Sequence, residues 1–271
     1  MRIMFTTLMM VAQITVAVLM AAAQARDPVP FRLSTPDATA VILASPNEPE
    51  CVLLAAEDLA GDVERITGRR PGVVSDSAKA GDTCVVLATV SCPEGAAMAE
   101  SVAPGLAGDL AGKREAFRVV SVAAKVGTAR RVLLIAGSDP RGTIYGVYAF
   151  CEKCLGVDPL YFWASYPPKQ RDRLEWSDVD LAGDEPVVRY RGWFINDEDL
   201  LTEWYTDGGS RDIDYPFYSM VTSPKASRHV FEAALRLRMN LIIPASFVNI
   251  TNPAEERLVA DAVRRGLLVS Q

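Results

Sequence analysis

The sequence predicts an α/β protein in two parts, an N-terminal mixed α/β domain followed by the first three strands of a truncated (β/α)8 TIM barrel. Three patterns predict it. Short apolar runs alternate with segments of helical periodicity as far as residue 160; a Pro-, Gly- and charge-rich stretch, 167–186, then interrupts them; and the residues beyond it read strand, helix, strand, helix, strand. With 49% hydrophobic residues in 271, the chain has core material for one large domain or two ordinary ones.

Taken in order, residues 1–25 read as a secretory signal peptide. Arg2 is a short basic start, Ile3 to Met20 is mostly apolar, and Ala23-Gln24-Ala25 places small residues before Arg26. The mature chain is therefore expected to be exported, periplasmic or extracellular, and an uncleaved signal is the only membrane attachment the sequence offers. The N-terminal domain spans 26–166. Pro28, Pro30 and Pro36 mark an extended entry to a strand at 40–43. A helix over 53–67 has Leu54, Leu59, Val63 and Ile66 on one side and ends at Gly68 and Pro71. Strands follow at 83–87, 115–122 and 131–135, the last two joined at Gly127, while Ala, Gly and Pro in 95–110 predict no definite element.

Ala136-Gly137-Ser138-Asp139-Pro140-Arg141-Gly142 reads as a strand exit into a helix that continues to about residue 155. Glycines there could cradle an anion, but the Lys-Ser/Thr of a phosphate loop is missing, so a tight packing turn is the better reading. Tyr161, Phe162, Trp163 and Tyr166 form an aromatic cluster suited to a core, a domain seam or a sugar-stacking surface. Residues 167–186 read as a linker, and the second unit occupies 187–271.

That unit opens with Arg189-Tyr190-Arg191-Gly192-Trp193-Phe194-Ile195, β-favouring residues that run into Asn196, Asp197, Glu198 and Asp199. In a parallel barrel, polar groups just past a strand form the active edge; a solvated loop or helix N-terminus is the plainer alternative. Helices at 223–239 and 255–265 and strands at 240–245 and 267–270 complete the pattern.

Composition excludes several functions. A net charge of −6, a pI near 5.0 and no Lys/Arg run argue against nucleic-acid partners. Five cysteines in an exported chain predict at least one disulfide and a leftover thiol. Cys151-Glu-Lys-Cys154 has the spacing of a redox or metal pair, but no second pair accompanies it, His229 is the only histidine, and it falls at the end of a helical pattern; structural cysteines are the better reading. No metal and no cofactor is expected, and no pattern sets an oligomeric state.

Ala55-Ala56-Glu57-Asp58-Leu59-Ala60, Ile66-Thr67-Gly68, Gly112-Lys113-Arg114-Glu115-Ala116-Phe117, Ile135 to Gly146, and Tyr190-Arg191-Gly192-Trp193-Phe194-Ile195-Asn196-Asp197-Glu198 together resemble glycoside hydrolase family 115. The resemblance implies an exported enzyme that removes glucuronic acid, or its 4-O-methyl form, from glucuronoxylan side chains with inversion. It implies an N-terminal domain of the kind found in other α-glucuronidases and hexosaminidases, and a (β/α)8 catalytic barrel. It places Asn196, Asp197 and Glu198 on the substrate-binding rim and makes Arg191 a local donor for a uronate carboxylate, with a structural ion pair as the alternative. Two departures stand out. Asn240 is followed by Leu241-Ile242-Ile243-Pro244-Ala245, with Phe247 where the family has Trp, and the family pattern continues past a third strand whereas this sequence finishes at Gln271. Adjacent Asp197 and Glu198 point to different sides of a strand end. The main catalytic acid and base are therefore expected on later strands, beyond Gln271, and this chain alone is expected to be inactive. A non-catalytic carbohydrate-binding or docking module over 26–181 is the alternative reading.

Overall fold

A computed structural model describes residues 30–271 apart from 197–198 and 214–217. The expected signal peptide, Asp197 and Glu198 lie outside the described residues.

The main sheet has six strands in the order β3-β2-β4-β6-β5-β8. β2 (Val41–Leu43), β3 (Val73–Val74), β4 (Thr83–Thr89) and β6 (Arg131–Gly137) are parallel; β5 (Phe117–Val122) runs antiparallel to β6 and to the edge strand β8 (Asp180–Gly183). β4 and β6 are buried almost end to end, because helices cover both faces of the sheet. On one face α1 (Glu50–Thr67) and α4 (Pro140–Phe150) cover Ile42, Val85, Leu133 and Ile135; on the other α2 (Pro93–Val102) and α3 (Leu106–Leu110) cover Leu43, Cys84, Val86 and Leu134. A separate antiparallel pair joins β1 (Phe31–Ser34) to β7 (Leu174–Trp176).

The second sheet is parallel, with order β11-β10-β9: β9 (Gly192–Phe194), the short α5 (Asp199–Thr202), α6 (Pro224–Arg236), β10 (Leu241–Ile243), α7 (Pro253–Arg264) and β11 (Leu268–Val269) follow in sequence. Ser223 caps α6 by accepting from the Lys225 N–H, and Asn252 caps α7 by accepting from the Ala254 N–H. Gly192 is required where β9 meets β10, since a Cβ there would collide with the Leu241 carbonyl. Among the described residues no helix is long and apolar enough to cross a membrane.

Three expectations are corrected. The stretch 167–186 carries strands β7 and β8, both paired to the N-terminal sheets. β8 leaves little signal in the sequence because it is a short edge strand ending in glycine, and Gly183 is there because its bare Cα lies against the Phe117 ring. Residues 95–110 form most of α2 and all of α3. Gly95, which argued against a helix, lets the first turn of α2 approach the Thr89 backbone more closely than a Cβ would allow. The expected disulfide is absent and all five cysteines are free. Cys84 and Cys151 lie in cores on opposite faces of the sheet, out of bonding reach of each other. Burial raises the Cys154 thiol to about 11 and also pushes Cys151 well above the ordinary thiol range, which is the reverse of a reactive pair.

The α/β sandwich and the parallel unit meet through buried charges. Asp62 of α1 accepts from Arg236 of α6 at 2.8 and 3.0 Å and from Arg65 at 2.7 Å, and Arg236 also donates to Glu232 at 2.9 Å. Asp58, one turn earlier, accepts from Arg265 at 2.9 Å and from the Tyr148 hydroxyl at 2.7 Å. Burial opposes the charge on Arg236, yet Asp62 and Glu232 outweigh it and hold the guanidinium well above its ordinary value. Burial pushes the Asp62 carboxyl up, the opposite sense for the same pair; with two guanidiniums in contact, we read the pair as ionised. Burial likewise works against Asp58, but Arg265 and Tyr148 prevail and hold it below its usual range.

Replacing Arg236 by Met should leave Asp62 and Glu232 buried without their main cation and cost about 3–5 kcal/mol in urea unfolding. A loss below about 1 kcal/mol would show that the pair holds nothing together. A chain ended after Leu181 lacks Arg191, Arg236 and Arg265 and should unfold without a cooperative transition; a sharp transition would support the separable module instead.

Candidate functional site

The carboxyl ends of β9 and β10 lie side by side. The Ile195 N–H donates to the Ile243 carbonyl at 2.9 Å, extending the pairing one residue beyond the strands. Asn196 follows, and the Ser246 hydroxyl donates to the Asn196 backbone carbonyl at 2.9 Å and to its Oδ1 at 3.3 Å. Asn196 and Ser246 therefore form a polar edge across two neighbouring strands. The next residue, Phe247, is 49% exposed and receives the Tyr218 ring edge-on at a centroid distance of 5.7 Å. A half-exposed aromatic beside hydrogen-bonding groups is a surface suited to a sugar ring.

The loops that carry this edge are held from below. Glu255, in the first turn of α7, accepts from Arg211 Nε at 3.1 Å and from the Asn249 N–H at 3.3 Å. Arg211 belongs to the loop after β9 and Asn249 to the loop after β10, so one buried carboxylate fixes both. Gly208 and Gly209 let the first loop double back, with Val221 N–H bonded to the Gly209 carbonyl at 2.9 Å and a bridge between Ser210 and Met220. Ser223 joins the loop to α6 by donating to Asp207 at 2.5 Å.

Arg191 is elsewhere. It precedes β9 while Asn196 follows it, a separation of about 16 Å along an extended strand. Its Nη2 donates to Glu115 Oε2 at 2.6 Å and its Nε to the Arg238 carbonyl at 2.9 Å, so the guanidinium is committed to structure. Glu115 collects two more donors, Arg141 Nε at 2.8 Å and Asn240 Nδ2 at 2.7 Å. Its backbone sits at φ 57°, a left-handed conformation that costs a non-glycine residue about 1 kcal/mol or more and that these three donors hold. Burial alone would raise the Glu115 carboxyl, but the bonds from Asn240, Arg191 and Arg141 outweigh it and keep it below its ordinary value of 4.5.

Of the residues the sequence placed on the rim, the structure brings Asn196 to the strand ends and keeps Arg191 at the opposite end. The acid and base expected beyond Gln271 lie outside the described residues, which end there. Ser246, Phe247 and Glu255 were not singled out as site residues: Ser246 and Glu255 act through contacts between loops distant in sequence. Phe247 stood out in the sequence only as the aromatic where the family has Trp. Among the described residues no group of three or more His, Cys, Asp or Glu could hold a metal ion.

The structure is similar to a family GH115 4-O-methyl-α-glucuronidase, BtGH115A, described as having specificity for decorated arabinogalactans, with a TM-score of 0.66 and 24% identity over 88% of this chain. The chain spans 29% of that enzyme's length. Weaker likenesses, which carry no argument, are to a Streptomyces plicatus β-hexosaminidase (TM-score 0.49, 14% identity, 89% of this chain and 42% of that one) and to CpGH84D (TM-score 0.47, 12% identity, 85% of this chain and 33% of that one). Compared by sequence with curated proteins, the chain has no significant match. Residues 183–271 match the model of glycosyl hydrolase family 115.

The Glu115 cluster makes acid stability a test of the joint between the two units. A carboxylate whose folded pKa lies below its unfolded one stabilises above about pH 4.5, and that stabilisation is lost as pH falls through the folded value. Glu115→Gln should therefore cost about 3 kcal/mol at pH 7 in denaturant unfolding, with the gap from the parent chain narrowing below pH 4.5. A gap that is independent of pH would show that the charge on Glu115 is immaterial.

Proposed function

We propose that this chain is the N-terminal portion of an exported α-glucuronidase-like hydrolase. In this reading residues 26–166 form the accessory α/β domain, β9 to β11 are the first three strands of a (β/α)8 barrel, and the substrate is a plant polysaccharide bearing (4-O-methyl)glucuronic acid. The observation that carries it is the coincidence of the family match, 183–271, with the three parallel strands and their two crossover helices. Asn196 and Ser246 would bind sugar hydroxyls, with Phe247 as the apolar wall.

The chemistry limits what this segment does alone. Inverting hydrolysis needs a carboxylic acid and a carboxylate roughly 6.5–9.5 Å apart on opposite sides of the scissile bond. In this reading the paired acid and base come from strands beyond Gln271. The cation for the uronate is likewise not Arg191, whose guanidinium faces Glu115. The polymer is glucuronoxylan or a uronate-decorated arabinogalactan, the latter drawn from the specificity described for BtGH115A.

The test is release of uronic acid. The native exported protein that carries these residues should liberate (4-O-methyl)glucuronic acid from glucuronoxylan or arabinogalactan, while the 271-residue chain alone liberates none. Asn196→Ala and Phe247→Ala in the native protein should each raise KM or lower kcat/KM by about tenfold, the scale of one lost hydrogen bond or stacking contact. Release of a neutral sugar, or of nothing, by the native protein would sink the proposal.

A further inference from the structure

The N-terminal sheet contains a second candidate site, unrelated to the barrel rim. β2 and β4 are parallel neighbours, with Val41 opposite Cys84, but β2 leads into α1 on one face and β4 into α2 on the other. Connections that part in this way open a crevice outside the carboxyl ends of the two strands, the usual ligand position in open α/β sheets. Two cavities of about 490 and about 260 Å³ lie there and share Ser45, Glu48, Glu94 and Gly95. The larger is of a size that takes a small molecule.

The lining narrows the ligand. Leu43, Pro46, Ala97 and Met98 give the larger cavity apolar walls. Among the described residues neither cavity is lined by a Lys, an Arg or an aromatic ring, which argues against an anion and against a sugar stacked on a ring face. Two carboxylates remain without a cation. Glu94 accepts from the Ser45 hydroxyl at 2.6 Å and from Asn47 Nδ2 at 2.7 Å, both neutral donors. Glu48 lines both cavities and is only 6% exposed; its Oε1 accepts from the Thr89 N–H at 2.9 Å, and its Oε2 has no partner among the described residues. Burial above all raises the Glu48 carboxyl, and the charge of Glu94 adds to the effect. A buried carboxylate with one free oxygen, next to a second carboxylate, is stabilised by an incoming positive charge.

We propose that this crevice binds a small organic cation, a primary ammonium on an alkyl body. Glu94 receives the ammonium at the rim, Glu48 supplies a second negative charge beneath it, and Leu43, Pro46 and Met98 cover the alkyl body. The site rests on the N-terminal sheet alone and stands whether or not the glucuronidase reading does.

The test is titration of the whole chain by calorimetry with hexylammonium, hexanol and hexanoate. Hexylammonium should bind saturably and about tenfold more tightly than hexanol, the scale of one charge pair near a protein surface, and hexanoate should not bind. Glu94→Gln should reduce hexylammonium affinity by about fivefold or more and leave hexanol binding unchanged. Equal affinity for hexylammonium and hexanol, binding of hexanoate, or full affinity in the Glu94→Gln chain would each overturn the proposal. Glu48→Gln should weaken binding in the same sense; if that buried change prevents folding, the exposed Glu94 variant decides the matter.

Discussion

The structure depends on placing aspartate and glutamate where water cannot reach them and bringing arginine from a distant part of the chain to each. Asp58 and Asp62 lie on the face of α1 that would otherwise be solvated; Arg265 and Arg236 reach them from the ends of α7 and α6. Glu115 draws together Arg141, Arg191 and Asn240. Such pairs add little net stability compared with an apolar contact, but breaking one is expensive because the remaining charge stays buried. Their effect is to make the joint between sandwich and parallel unit particular: each helix has one register in which Asp58, Asp62 and Glu115 are met.

The parallel unit, whose sheet has three strands among the described residues, is held by more than that sheet. α6 and α7 are not held by β9, β10 and β11 alone, since α6 also packs on α4 and its Arg236 stacks against the rings of Tyr148 and Tyr161. The Tyr145 hydroxyl adds a bond to the Met239 carbonyl, just before β10. The α/β sandwich thereby fixes the amino ends of the strands, and Asn196 and Ser246 meet at the carboxyl ends.

Much of this was legible in the sequence. The helices of α1, α6 and α7, the strands β4, β5, β6, β9 and β10, and the glycine turn into α4 announced themselves by periodicity and by caps, which are local. Gly137 and Gly142 are indeed packing glycines, since a Cβ on the first would meet Thr143 and on the second the Ala116 carbonyl. The elements that escaped, among them β1, β3, β7, β8, α2 and α3, are short or small-residue segments whose stability comes from a partner, and no window of sequence contains the partner. The cysteines misled for a related reason: their number follows from composition, but pairing is a matter of distance.

The sequence by itself determined the class of fold, the order of most of its elements and, through motifs such as the Tyr190 to Glu198 stretch, the likeness to glycosyl hydrolase family 115 over residues 183–271. Those depend on backbone propensity, apolar period and local turns, all written within a few residues of one another. Only the tertiary structure decided which side chains share a site. It set Asn196 beside Ser246, turned Arg191 away to Glu115, and placed Glu48 with Glu94 at the divergence of β2 and β4. Charge, hydrogen bonding and burial act through space, so residues more than forty positions apart acquire their roles only when the chain brings them within a few ångströms.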